Sequence, residues 1–210
     1  MHERRTFRAK AGSAAWDGFA TDPRSGGYTD AVGVRTIPEN PPGTLSLRRD
    51  PALVPLSQDH HAALMQAQAL SRAAAGVAPY AGKPERTARA FLAFRQAELL
   101  GHFGDEEDVL FPAAERVDPE GTARVRSEHA ELHALAGTLE GALAEGRDPR
   151  PIMAQLGSLL HDHVRFEERA WFEALQARLL SEELARIGRE LEAHREARGR
   201  GRGCSLPPPR

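Results

Sequence analysis

The sequence predicts an all-α fold: an up-down-up-down four-helix bundle with an irregular N-terminal extension and a short C-terminal helix plus tail. Three observations predict it. Apolar residues recur at three- and four-residue spacing in four segments between residues 51 and 180. Gly and Pro punctuate the gaps between those segments, at Gly76, Pro79, Pro84, Pro119, Gly146 and Pro149. Four histidine-bearing strings fall one to a segment: DHH at 59–61, HFGDE at 102–106, EHAELH at 128–133 and HVRFE at 163–167.

Residues 1–50 hold many Gly, Pro, Asp and Thr without helical periodicity, and are expected to be irregular or disordered, with Trp16, Phe19 and Tyr28 able to pin a segment. Helix 1 is expected from about Leu56, just after Pro55, with Ser57 as N-cap, and runs to about Ala75. Helix 2 begins after Lys83, with Pro84 suited to a first turn, and presents Phe91, Phe94, Leu99, His102 and Leu110 on one face. Gly101 and Gly104 flank His102 and leave room for a neighbour or a ligand. Helix 3 starts near Pro119 and carries Val125, His129, Leu132, His133 and Leu139. Helix 4 follows Pro149 with Ile152, Leu156, Leu160, His163 and Phe166. The bundle domain is thus read as 51–180. A shorter fifth helix from Ser181 shows Leu184, Ile187 and Leu191 at helical spacing, and a basic, unstructured tail is expected from Gly199.

The composition narrows the function classes. A net charge of −2 gives no sign of a nucleic-acid partner. A single cysteine, Cys204, excludes an intramolecular disulfide framework and any thiolate metal cluster. The first residues lack the apolar core of a secretory signal, and no run of about 18 apolar residues offers a membrane span. The expected compartment is cytoplasmic.

The four strings carry the chemistry. Residues four apart share one face of a helix, so His102 pairs with Glu106, His129 with His133, and His163 with Glu167. HFGDEEDVLF (102–111) aligns without gaps to HVRFEERAWF (163–172), and Asp59-His60 matches Glu128-His129 more weakly, so the chain reads as two related hairpins. Surface ion pairs would explain either His-x-x-x-Glu pair alone. They do not explain why both lie beside Phe and Leu on core faces, where several histidines need a common partner. Neutral imidazole and ionised carboxylate are metal ligands. On helix 1 the choice between His60 and His61 stays open. His60 lies on the more apolar face, and His61 stands three residues before Leu64.

These strings, with HFGDEEDVLFP ending at Pro112, resemble the hemerythrin family in its bacterial His-His-Glu form, over roughly residues 55–178. The resemblance implies a four-helix bundle holding two non-haem iron ions. One iron would take histidines from among His129, His133 and His163, and the other His102 with the helix-1 histidine. Glu106 and Glu167 would bridge, with an oxo or hydroxo group as third bridge, and the two-histidine iron would keep an open position for a small molecule. The ligand types also permit zinc or manganese. Glu107 and Glu168, one residue on, swing off that face and are read as solvated or as acceptors behind the ligands. Leu110 and Trp171, four residues after the two glutamates, are expected to stack over the cluster, with plain core packing the competing role for Trp171.

The expected function is binding of O2 or a related small molecule, for carriage, storage or redox sensing. The alternatives are peroxidase- or catalase-like turnover or an NO- or iron-stress role at the same cluster, and a metal-free helical interaction module.

Overall fold

Five helical rods make up most of the described part of the computed structural model, residues 48–203 with side chains through residue 199, and no strand occurs among these residues. We label the rods α1 (Val54–Ala74), α2 (84–117), α3 (Pro119–Ala144), α4 (150–178) and α5 (Ser181–Gly203). The expectations for residues 1–47 and for 204–210 lie outside the described residues.

The boundaries follow local chemistry. α1 starts earlier than expected, because Pro55 sits in its first turn, where no backbone donor is required of it. Ser57 is therefore inside the helix and not its cap. The entry is closed instead by Asp50, whose carbonyl accepts from the Leu53 and Val54 N–H groups at 2.9 and 3.2 Å. α2 begins at Pro84, and α3 begins at Pro119 with the Asp118 side chain as N-cap.

α2 and α4 are continuous but not regular. Three π turns interrupt them, at Arg95–Leu99, Glu106–Leu110 and Glu167–Trp171. In each, a backbone N–H reaches five residues back: Leu100 to Arg95, Phe111 to Glu106, Phe172 to Glu167. Such insertions shift the helix face by a fraction of a turn and recur at functional sites. Two of the three begin on the glutamates singled out from the sequence.

The fifth rod is longer than expected. It continues through Gly199 to Gly203. Leu184, Ile187 and Leu191 join the core, and His194, Arg195 and Arg198 pair with acids on α1 and α2, which offsets the poor helix propensity of the glycine-rich end.

α1 packs closely along α4. Gly157 makes this possible: a Cβ there would stand 2.8 Å from the Ala67 carbonyl oxygen and 3.0 Å from the Ser71 nitrogen. The core divides into two apolar clusters. One includes Leu56, Leu110, Phe111, Val125, Trp171 and Phe172. The other includes Ala63, Leu99, Phe103, Leu132, Leu160 and Val164. His60 falls between Leu56 and Ala63, Glu106 between Phe103 and Leu110, His129 between Val125 and Leu132, and Glu167 between Val164 and Trp171. The polar residues thus form a buried layer between two apolar ones.

Candidate metal centre

Six buried polar residues make up that layer: His60, His102, Glu106, His129, His163 and Glu167. They form two groups of four whose ligand atoms lie within 4.8 Å of one another, His60–His102–Glu106–Glu167 and Glu106–His129–His163–Glu167. The two glutamates belong to both groups. Glu106 faces His102 Nε2 with Oε1 at 3.5 Å and His129 Nε2 with Oε2 at 3.2 Å. Glu167 faces His60 Nε2 with Oε2 at 3.1 Å and His163 Nε2 with Oε1 at 3.3 Å. Each carboxylate therefore spans the two halves, one oxygen to each.

Behind every imidazole stands another carboxylate. An ionised carboxylate only accepts, so each histidine donates from Nδ1 and turns Nε2 inward. His60 donates to Glu168 at 2.6 Å, His129 to Glu107 at 2.7 Å, His163 to Glu128 at 2.9 Å and His102 to Asp59 at 3.3 Å. Three of these carboxylates are in turn held by arginine: Arg49 on Glu168, Arg124 on Glu128 and Arg195 on Asp59, each at 2.7 Å. Such outer carboxylates fix ring orientation and strengthen the inward nitrogen as a ligand.

The charges follow from these partners. Burial pulls the His60 imidazolium down, but Glu167 and Glu168 together push it up to about 10. His129 is raised in the same way, with Glu106 overcoming burial. Burial pushes the Glu106 carboxyl up, yet the surrounding histidines hold it well below the ordinary carboxylate range. For Glu168, burial likewise pushes up, and His60 leads the partners that hold it at about 2.

The arrangement fits a cation. Both oxygens of Glu106, both of Glu167 and the Nε2 atoms of His129 and His163 are buried without a hydrogen bond. Buried polar atoms are seldom left so, and one explanation is an ion. Imidazole with carboxylate is a donor set suited to iron, zinc or manganese.

Two sequence-predicted residues fall outside the cluster. His61 is exposed, so of the two helix-1 candidates it is His60 that joins the layer. His133 lies one turn beyond His129, where Phe103 fills the space between the layer and its ring, with centroids 3.8 Å from His129 and 5.5 Å from His133. Its Nδ1 accepts instead from Arg95 Nη2 at 2.9 Å, and burial with the Arg95 charge lowers its pKa. Leu110 and Trp171 do not stack over the cluster either. The π turns advance the face by one residue, so Phe111 and Phe172 take those places, stacked on His129 and His60 at 5.8 and 5.6 Å. Trp171 packs edge-on against Phe111 and donates its indole N–H to Thr122 Oγ1 at 3.3 Å.

Sequence reasoning missed Asp59 and Glu128 as acceptors, although each stands immediately before a cluster histidine. It missed Asp105 altogether. Asp105 is fully buried and bound by His194, Arg195 and Arg198 of α5. The glycines beside His102 also serve this helix: a Cβ on Gly101 would stand 2.9 Å from Arg198 Nε.

Described residues that are helical throughout their regular structure, with a buried, paired His/Glu layer, define the class of helical cation-binding domains. The hemerythrin HHE cation binding domain matches residues 53–175, more than half of the chain, and the chain belongs to that family. The match ends before α5. No curated protein and no solved structure matches the chain.

Proposed function

We propose that this chain is a non-haem di-iron protein that binds O2 or a similarly small molecule, with α1–α4 as an up-down-up-down bundle around the metals. One ion would be held by His60 and His102 and the other by His129 and His163, with Glu106 and Glu167 bridging. The observation that carries the reading is the division of each buried carboxylate between the two histidine pairs. A single cation would leave half of those oxygens without a partner.

Two ferrous ions held by these residues would supply the pair of electrons that reversible O2 binding requires. The chain's own residues do the rest. The four outer carboxylates keep every Nε2 aimed inward. Phe103, Phe111 and Phe172 wall the imidazoles with apolar rings and limit access of water. Four protein ligand atoms per ion leave positions open where the ion takes more than four, and an open position is where a small molecule binds. A cavity of about 10 Å³ lies on the outer side of His102, bounded by Asp59, Phe94 and Glu98, with space for about one water molecule behind the ring.

The test is to load the chain anaerobically with Fe(II), admit O2, and follow the visible spectrum through cycles of O2 and vacuum. The reading expects a new absorption band that disappears when O2 is removed and returns on re-exposure. Irreversible bleaching with rapid consumption of added H2O2 would favour a peroxide-consuming enzyme at the same cluster.

A further inference from the structure

α5 lies beyond the family match, yet it reaches the candidate metal centre. Arg195 Nη2 donates to Asp59 Oδ2 at 2.7 Å, and that same oxygen accepts from His102 Nδ1 at 3.3 Å. Arg195 Nε also lies 2.7 Å from Asp105 Oδ2, an ion pair whose angle is not that of a hydrogen bond. Arg198 holds the same Asp105 through Nη1 at 2.6 Å and Nη2 at 3.0 Å. Asp105 directly precedes the bridging Glu106. The two arginines differ in one respect: Arg195 touches the acid behind a cluster histidine, and Arg198 touches only Asp105 among these acids.

Asp59 is half-buried and links the other two members of the chain Arg195–Asp59–His102. Without a cation it could rotate toward solvent, because His102 at 3.3 Å is its weaker partner. A fixed Asp59 keeps the proton of His102 on Nδ1 and leaves the Nε2 lone pair facing Glu106 and His60. The equivalent acid of the other half, Glu128, gets its arginine from its own helix, through Arg124. Among the described residues, it is the His60–His102 half whose outer acids are held from outside the bundle, by Arg49 and by Arg195.

We infer that Arg195 is a positioning residue for the His60–His102 metal position, acting through Asp59, so that docking of α5 sets the affinity of one of the two ions. This rests on the reading of the cluster as a two-metal centre.

The experiment is an anaerobic Co(II) titration of the full chain, read by its visible absorption and by calorimetry, on wild type, Arg195→Gln, Arg195→Lys and Arg198→Gln. Circular dichroism verifies that each variant is helical. Wild type should bind two ions. Arg195→Gln should bind one as wild type does and the other about 10-fold more weakly, the low end of the range for loss of a ligand's outer partner, because Arg195 acts one step behind that partner. Arg195→Lys keeps a cation beside Asp59 and should recover most of that loss, which also covers the case where Arg195→Gln does not fold. Arg198→Gln should lower the melting temperature and leave both affinities within a few-fold. Two ions bound equally tightly by wild type and Arg195→Gln overturn the inference alone. So does an equal weakening in Arg198→Gln, which would reduce Arg195 to an anchor of the helix. Wild type that takes up no Co(II) overturns the two-metal reading together with this one.

Discussion

Glu168 on α4 and His60 on α1 meet at 2.6 Å, carboxylate Oε1 to ring Nδ1, and Arg49 closes on the other oxygen of the same carboxylate at 2.7 Å. The residue after each shared glutamate thus serves a histidine of the opposite half. Glu107 repeats the relationship with His129. Removing Glu168 should therefore harm a ligand that it does not neighbour in sequence. Glu168→Ala is expected to weaken one metal ion about 10–100-fold, while Glu168→Gln, which retains an acceptor oxygen, loses less. Competitive titration against a chelating dye measures both.

The two histidine pairs separate cleanly by substitution. His60→Ala and His129→Ala each remove a cluster nitrogen and should lower the metal content by one ion or more. His61→Ala and His133→Ala should leave it unchanged, because His61 is exposed and His133 is engaged with Arg95. Metal analysis of the four purified variants decides this. A loss in His133→Ala matching that in His129→Ala would restore the ligand set inferred from family resemblance.

Stability should depend on pH in a manner set by the cluster. His60 is raised from 6.5 to about 10, so its stabilisation is complete below about 6.5 and is lost as pH rises through 10. Glu168 is lowered from 4.5 to about 2, so its stabilisation is complete above about 4.5 and is lost as pH falls through 2. Chelator-treated protein should accordingly melt highest between about pH 4.5 and 6.5 and lose stability on either side. Metal competes with the His60 proton, so the extra stability conferred by metal should grow from pH 6 to 8. Melting curves with and without chelator test this, and a flat chelator curve from pH 6.5 to 9 would contradict it.

Much of this was legible in the sequence, for identifiable reasons. The helices declare themselves by apolar period and by Pro84, Pro119 and Pro149. The i,i+4 rule placed Glu106 with His102 and Glu167 with His163. The same rule failed at the next turn. A π insertion leaves no composition signal, so Leu110 and Trp171 were expected where Phe111 and Phe172 stand. His133 shows another boundary of local reasoning: it shares a face with His129, but Phe103, distant in sequence, occupies the space. The acids Asp59 and Glu128 carried a weak signal, as the residue before each cluster histidine. Asp105 carried none, because its partners lie on α5, outside the bundle.

Close packing of α1 on α4 makes a further prediction at Gly157. In an exposed helix, Gly→Ala gains about 1 kcal/mol. At Gly157 the added methyl meets the backbone at Ala67 and Ser71, at 2.8 and 3.0 Å, and backbone yields little. Overpacking costs of about 1–3 kcal/mol are typical, so Gly157→Ala should lower the melting temperature rather than raise it. Because the contact lies away from the His/Glu layer, metal content should be unaffected. Differential scanning calorimetry with metal analysis checks both statements.

Two cations sharing Glu106 and Glu167 would leave a direct signature. Metal-to-chain stoichiometry tests that sharing most directly, measured by elemental analysis on untagged protein and on Glu106→Ala and Glu167→Ala. Wild type should hold two ions per chain and each variant fewer, since each carboxylate faces both histidine pairs. Wild type without bound metal, or either variant that still holds two ions, would contradict it.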